Sequence, residues 1–310
     1  MALTAAAASA TPPENTGSRY PFVQVDVFTN RRLQGNPLAV FTDARGLTDE
    51  HMQAFARETN LSETTFVFPR EAAAEREHGV QVRIWTPRGE LPFAGHPSLG
   101  TATVIRNLRG GTAAQVDLDL KVGKIPVTFE ARPGGLFVEM RQKDAEFGPT
   151  HKGEMVAPLI GLKPEDIDSS LPIEQVSTGS NFIIVPLRTL NAIRTVQFNH
   201  AGIAEAFAGG PRRPLFLVTR ETEDRNARLH QRLVFNGGED PATGSASGCV
   251  AAWMVRHNVA RSGEQVLIEQ GLEIHRPSQI YVRADRDGDR VYNVRVGGGV
   301  VETMRGEYLL

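Results

Sequence analysis

The sequence predicts an α+β protein of two similar domains, each a sheet wrapped around a helix. The chain has 310 residues, which is more than one hydrophobic core usually fills. One stretch of it occurs twice, each time as strand, turn and helix, and short strands rich in β-branched and aromatic residues surround both copies. The repeat and the strands together indicate two sheets, each enclosing one of the duplicated helices.

The duplicated stretch is Arg83–Ala102, which aligns without gaps on Arg232–Ala251. Both copies predict a short strand, an acidic Glu-x-Pro-x-x-Gly turn and a helix of small residues. A helix start has unpaired N–H groups and a dipole that favours negative charge, so each copy is an expected anion site. Facing one another, the two sites would form a pocket for a small carboxylate. Chance coincidence of Gly and Pro at turns is the alternative, which the shared spacing disfavours.

The first domain is predicted at residues 18–143, after a disordered tail at residues 1–17. Thr48–Glu58 predicts a helix with Thr48 as its N-cap and with Met52, Phe55 and Ala56 on one face. Strands are predicted at Phe22–Phe28, at Leu33–Phe41 after a turn through Gly35-Asn36-Pro37, and at Thr64–Phe68, Val80–Thr86, Gln115–Leu120, Ile125–Glu130 and Leu136–Met140.

The second domain is predicted at residues 150–295, and the polar segment Lys143–Glu154 is the predicted linker. Aligning Pro186 with Pro69 places Ser180 opposite Glu63, so one side of a pseudo-symmetric site carries an acid and the other does not. This asymmetry predicts one-sided proton chemistry. Helices are predicted near Met155–Gly161 and at Ala201–Ala208, and strands at Glu174–Ser177, Asn181–Pro186 and Pro214–Thr219.

Composition excludes several classes of function. The chain is 23% charged and 40% apolar with a net charge of −2, and its basic and acidic residues are interspersed, which argues against nucleic-acid and membrane partners. Cys249 is the only cysteine, so intramolecular disulfides and thiol pairs are impossible and a reducing compartment is indicated. Without a signal peptide or an apolar run of ~18 residues, a cytoplasmic location is predicted.

Four side chains are candidates for chemistry. Glu63 precedes an apolar strand, where desolvation would raise its pKa and suit it to acid/base work. His96 follows Gly95 at a predicted helix start, where the dipole favours the neutral ring as a proton shuttle or hydrogen-bond partner. Asp240 and Ser245 flank the second turn. The alternatives for Glu63 are a solvated loop glutamate or one that caps backbone N–H groups, and for the other three the alternative is helix capping.

Other sites fail on spacing. The eight histidines form no HExxH pair and there is no cysteine cluster, so no transition-metal site is predicted. Gly244–Gly248 carries Ala246 where a nucleophile elbow needs serine. Gly297-Gly298-Gly299 lacks the dinucleotide fingerprint, and no Walker loop occurs. Neither a metal nor a nucleotide cofactor is therefore expected.

Three ordered segments resemble the signatures of the phenazine-biosynthesis PhzF family, and the likeness covers the chain beyond its first residues. The segments are Asn60–Thr64 (NLSET), Glu90–Pro97 (ELPFAGHP) and Glu239–Ala246 (EDPATGSA), extended by Gly35-Asn36-Pro37 and by Gln270–Pro277 (QGLEIHRP).

The resemblance implies the diaminopimelate-epimerase fold, with two domains, a cleft between them and a chain end, about residues 298–310, that returns to the first domain. It also implies a cofactor-free homodimer that isomerises trans-2,3-dihydro-3-hydroxyanthranilate by moving a proton from C3 to C1. By carry-over, Glu63 transfers the proton, while His96, Asp240 and Ser245 assist and orient. The N–H groups around Gly95–His96 and Gly244–Ser245 would hold the substrate carboxylate.

Related epimerases of this fold use two cysteines at the helix starts, and here Cys249 lies beyond the second turn, so two-thiol chemistry is excluded. The leading hypothesis is an isomerase that acts on a small cyclic carboxylate through Glu63. Two alternatives stay open: an isomerase of the same mechanism with an unrelated small acid as substrate, and a non-catalytic carboxylate-binding protein.

Overall fold

A computed structural model describes residues 17–208, 213–235 and 237–310. The predicted disordered tail therefore lies outside the described residues, apart from Gly17. No helix in these ranges combines the length and the apolar character that a membrane crossing requires.

The first half forms a closed ring of strands around one helix. Its strands are β1 (Arg19–Val27), β2 (Asn36–Phe41), β3 (Thr64–Phe68), β4 (Val80–Thr86), β5 (Gly89–Leu91), β6 (Gln115–Leu120), β7 (Gly123–Arg132) and β8 (Gly135–Arg141); its helices are α1 (Asp49–Thr59), α2 (Ala72–His78) and α3 (Gly95–Leu108). Pairing runs β1-β2-β3-β4-β6-β7-β8, and the last strand of the chain, β17 (Arg290–Leu309), pairs with both β8 and β1. Helix α3 fills the ring and is buried from Gly95 to Ile105.

The second half repeats this plan around α7 (Gly244–Arg256). Its strands are β9 (Glu146–His151), β10 (Ile173–Ser177), β11 (Asn181–Leu187), β12 (Leu215–Thr219), β13 (Ala227–Phe235), β14 (Gly238–Asp240), β15 (Val266–Gln270) and β16 (Ser278–Asp287). Its other helices are α4 (Gly153–Val156), α5 (Leu190–Arg194) and α6 (His200–Ala206), with 3₁₀ turns at Ala157–Ile160 and Pro164–Asp166. Pairing runs β9-β10-β11-β12-β13-β15-β16-β17, and Gln142 and Ala145, just before β9, bond to the backbone of β17.

Strand β17 belongs to both rings. Its first residues pair with β16 and β8, and Val300–Leu309 pair with β1. This places the end of the chain beside the first half. The domain boundaries at 18–143 and 150–295 stay predictions.

Local sequence signals account for most elements. Helix α1 begins after Thr48, whose hydroxyl accepts the N–H of His51 at 3.3 Å, and it buries the predicted face of Met52, Phe55 and Ala56. Helix α2 was not predicted because its sequence, AAAEREH, buries no residue and so has no apolar periodicity. The predicted linker, Lys143–Glu154, is wrong in part, because it contains β9. Its polar strand forms by pairing with β10.

Strand register corrects the alignment of the two halves. Phe66 of β3 lies opposite Arg83, and Leu217 of β12 lies opposite the duplicated Arg232, so β3 corresponds to β12. Counting back three residues, the counterpart of Glu63 is Pro214. Ser180 was the wrong partner, because the connections through α1 and through α5 and α6 differ in length and the aligned prolines mark different strands. With Pro214 as its counterpart, Glu63 still gives an acidic side chain to only one of the two halves.

Candidate active site

The same ion pair holds both duplicated turns. Arg83 donates from Nε and Nη2 to the two carboxylate oxygens of Glu90 at 2.7 and 2.8 Å. Arg232 does the same to Glu239 at 2.9 and 2.6 Å. Bidentate pairs of this kind have a defined geometry, so they fix the hairpins that lead into α3 and α7. The duplicated sequence is thus duplicated in space.

The starts of α3 and α7 face each other across a very short gap. A Cβ atom added to Gly95 would lie 3.0 Å from the backbone nitrogen of Ser245, and one added to Gly244 would lie 3.5 Å from the backbone nitrogen of His96. Neither helix has a side-chain cap, because Ala94 offers no acceptor and Thr243 donates its hydroxyl to Asp240 instead. The N–H groups of both starts are therefore open to one anion.

One cleft of about 1450 Å³ lies at these helix starts and takes its walls from both halves of the molecule. The structure brings all of the predicted site residues together there: Glu63, Gly95, His96, Asp240, Gly244 and Ser245. Neither helix start carries a thiol, since Cys249 is buried inside α7, where burial raises its pKa to about 11.

Glu63 stands at the start of β3 with its side chain 17% exposed. Among the described residues no donor forms a hydrogen bond with its carboxyl group. Burial raises the pKa of Glu63 to about 8, and the nearby charge of Asp240 raises it further in the same direction. At neutral pH this carboxyl group is mostly protonated, yet its pKa is close enough to lose the proton readily.

His96 is buried beside it, with its Nε2 atom 3.6 Å from Oε2 of Glu63. Burial lowers the pKa of His96 to about 3, against a backbone hydrogen bond with Pro37 that raises it. The ring is therefore neutral, and its approach to Glu63 is not an ion pair. Nε2 has no hydrogen-bond partner among the described residues, so it is available to a ligand or to a proton in transit.

Asp240 is the second buried carboxyl group, and three donors hold it. It accepts from the Thr243 hydroxyl at 2.7 Å, from Nδ2 of Asn36 at 2.8 Å and from the Ser62 hydroxyl at 3.3 Å. Burial raises the pKa of Asp240 to about 6, and these hydrogen bonds limit the rise. Because their surroundings differ, the two carboxyl groups have different pKa values, and at pH 7 Asp240 is mainly ionised and Glu63 mainly protonated.

Asn36 is a site residue that the sequence reasoning missed. It is fully buried at the start of β2, and its Nδ2 donates both to Asp240 and to the carbonyl of Ala242 at 2.9 Å. Arg276 holds the preceding turn through the carbonyl of Gly35, at 3.0 Å. The only sequence signal was the Gly35-Asn36-Pro37 segment, which indicates a turn but not what the amide reaches.

The raised pKa of Glu63 predicts a pH effect on stability. A carboxyl group whose folded-state pKa is about 8, against 4.5 as the ordinary value, stabilises the fold below pH 4.5 and loses that contribution as the pH rises through 8. Urea unfolding at pH 5, 6.5 and 8 tests this. As the pH rises, the free energy of unfolding of the wild type should fall relative to that of Glu63→Gln by on the order of 2 kcal/mol. Parallel pH curves for the two proteins would contradict this environment for Glu63.

Comparison with known proteins is consistent with this geometry. The family model described as phenazine biosynthesis-like protein (PhzC-PhzF) matches residues 25–306. A trans-2,3-dihydro-3-hydroxyanthranilate isomerase of Pseudomonas aeruginosa is 34% identical over 89% of this chain and 95% of its own. A PhzF-family crystal structure from Bacillus anthracis superposes with a TM-score of 0.84 and 29% identity, covering 94% of this chain and all of that one.

A probable proline racemase from Agrobacterium radiobacter, 11% identical, shares the fold with a TM-score of 0.62 over 94% of this chain and 93% of its own. The predicted fold class and the family resemblance are thus confirmed. The chain is an isomerase that belongs to the phenazine biosynthesis-like (PhzC-PhzF) family.

Proposed function

We propose that the protein is a cofactor-free isomerase that moves a proton on a small cyclic carboxylic acid through Glu63. Its substrate in this proposal is trans-2,3-dihydro-3-hydroxyanthranilate or a related acid, and the working unit is a homodimer. The alternative within the same mechanism is an unrelated small acid.

One observation supports this proposal above the others. A carboxyl group that accepts no hydrogen bond from the described residues faces a neutral histidine, next to a second carboxyl group that three donors hold. Glu63 has a pKa near neutrality, so it can both take and return a proton. Asp240 stays ionised and positions its neighbours. This division suits one-base proton transfer.

In the proposed reaction the carboxylate of the substrate binds the N–H groups at the starts of α3 and α7. Ionised Glu63 takes the proton from C3 as the C3–H bond breaks, and the electron pair moves into the conjugated ring. Protonated Glu63 then gives the proton to C1, where the new C–H bond forms. The neutral ring of His96 and the N–H groups stabilise charge that develops between the two steps. Ser245 contributes its N–H group and a hydroxyl group at the cleft.

A relative supports the substrate class, since the Pseudomonas aeruginosa protein is named trans-2,3-dihydro-3-hydroxyanthranilate isomerase. Incubation with that acid deuterated at C3, followed by NMR of the product, tests the proposal. We expect slower turnover than with the unlabelled acid and deuterium partly transferred to C1.

The pH dependence of the rate should also follow the ionisation of Glu63. Because its ionised form begins the reaction, kcat/KM should rise about tenfold per pH unit up to about pH 8 and then level off. If a different small acid is turned over with solvent exchange at carbon, that acid replaces the proposed substrate. Binding of carboxylates without any carbon–hydrogen exchange would contradict the isomerase mechanism.

A further inference from the structure

The register of the two halves places an arginine where the first half has its acid/base segment. Because β3 corresponds to β12, Ser62-Glu63 has Arg213-Pro214 as its counterpart. Both dipeptides line the same cleft. One half of the molecule thus presents a proton-transfer group to the cleft, and the other presents a cation.

Arg213 differs from neighbouring arginines in having no carboxylate partner among the described residues. Arg194, Arg220 and Arg232 each form an ion pair with a carboxylate. Within the described ranges no carboxylate pairs with Arg213, and its Nε atom is buried without an acceptor. A buried donor without an acceptor costs free energy, because it has lost its hydrogen bond to water. An acceptor atom of a bound ligand would remove this cost.

Apolar side chains share the cleft with Arg213, and no carboxylate within the described residues compensates its charge. Phe198, Phe207 and Leu215 line the same cleft as Arg213. His151, whose ring packs edge-on against Phe207 at 5.2 Å, is held neutral, because burial and then the charge of Arg213 lower its pKa. A guanidinium group in such low-dielectric surroundings binds an anion more strongly than one in water.

We propose that Arg213 binds a second anionic group of the substrate, so that the protein acts on a diacid whose two anionic groups are joined by an apolar ring or chain. One carboxylate lies at the starts of α3 and α7, and the other at Arg213. The cleft of about 1450 Å³ has room for such a molecule, since pockets for small ligands are typically ~300–1,000 Å³. This inference rests on the proposed function and selects, among the related acids that it allows, those with two anionic groups, which excludes trans-2,3-dihydro-3-hydroxyanthranilate itself because that acid has one carboxylate.

Calorimetry with matched probes tests the proposal on the full chain. Benzoate is compared with benzene-1,4-dicarboxylate, and biphenyl-4-carboxylate with biphenyl-4,4′-dicarboxylate, on the wild type, Arg213→Met and Arg31→Met. Arg31 is exposed and lies outside the cleft, so its variant removes the same charge elsewhere. Thermal melts establish that each variant is folded.

We expect at least one dicarboxylate to bind the wild type about tenfold or more tightly than its monoacid, as a charge-assisted hydrogen bond provides. Arg213→Met should abolish this preference and Arg31→Met should retain it. Equal binding of monoacid and diacid by the wild type, or a preference that survives in Arg213→Met, would overturn the inference. If neither a monoacid nor a dicarboxylate binds the wild type, the proposed carboxylate site at the helix starts fails instead, which keeps the two failures distinguishable.

Discussion

Replacing Glu63 with Gln is expected to reduce turnover by on the order of 10²- to 10⁴-fold while leaving the protein folded. The amide keeps the size of the side chain but cannot take a proton at any accessible pH. No hydrogen bond within the described part of the chain depends on this carboxyl group, so the exchange removes chemistry and little structure. Isomerisation of the deuterated acid, followed by NMR, measures the loss.

The matched control is Glu58→Gln, which makes the same exchange on the exposed surface of α1, five residues earlier. It should retain wild-type turnover. Glu63→Gln should still bind benzoate, because the facing helix starts are untouched, and its binding should equal that of the wild type within a few-fold. A Glu63→Gln protein with substantial turnover would remove Glu63 from the reaction and would leave the pair of Asp240 and His96 to be tested next.

Much of the fold could be predicted because its determinants are local. Each determinant involves residues that are close together in the sequence. Examples are the cap at Thr48, the apolar face of α1 and the strong alternation of the central strands. The duplicated Arg83–Ala102 was also visible, and with it the two facing helix starts. Short-range sequence patterns were therefore sufficient to predict the structure of the two duplicated segments, which align without gaps.

The remaining features depend on contacts between distant segments. The polar strand β9 forms because β10 offers it a backbone edge, which its own side chains do not indicate. Asn36 reaches Asp240 across 204 positions, so neither residue reveals the other. The equivalence of Ser62 and Arg213 becomes visible only from strand register, because the helices that precede these strands differ in length between the halves.

Replacing Gly95 with Ala is expected to weaken the carboxylate site itself. The added Cβ would lie 3.0 Å from the nitrogen of Ser245, and 3.1 and 3.2 Å from the carbonyl carbon and Cα of Gly244. These are backbone atoms of the opposite helix start, which cannot rotate away as a side chain can. The two starts must therefore separate by a few tenths of an ångström. Misplacing a positioned group by ~1 Å costs about 10²-fold in activity, so this smaller displacement should cost about tenfold. Strain should also cost about 1–3 kcal/mol of stability.

Gly153→Ala is the matched control, since Gly153 also begins a helix but an added Cβ there would meet only ordinary contacts, 3.5 Å or more from Ile167. Calorimetry with benzoate should show binding weakened about tenfold by Gly95→Ala and unchanged by Gly153→Ala. The signature differs from that of Glu63→Gln, which keeps binding and loses chemistry, whereas Gly95→Ala weakens both. If a folded Gly95→Ala protein binds benzoate as the wild type does, the carboxylate lies somewhere other than between α3 and α7.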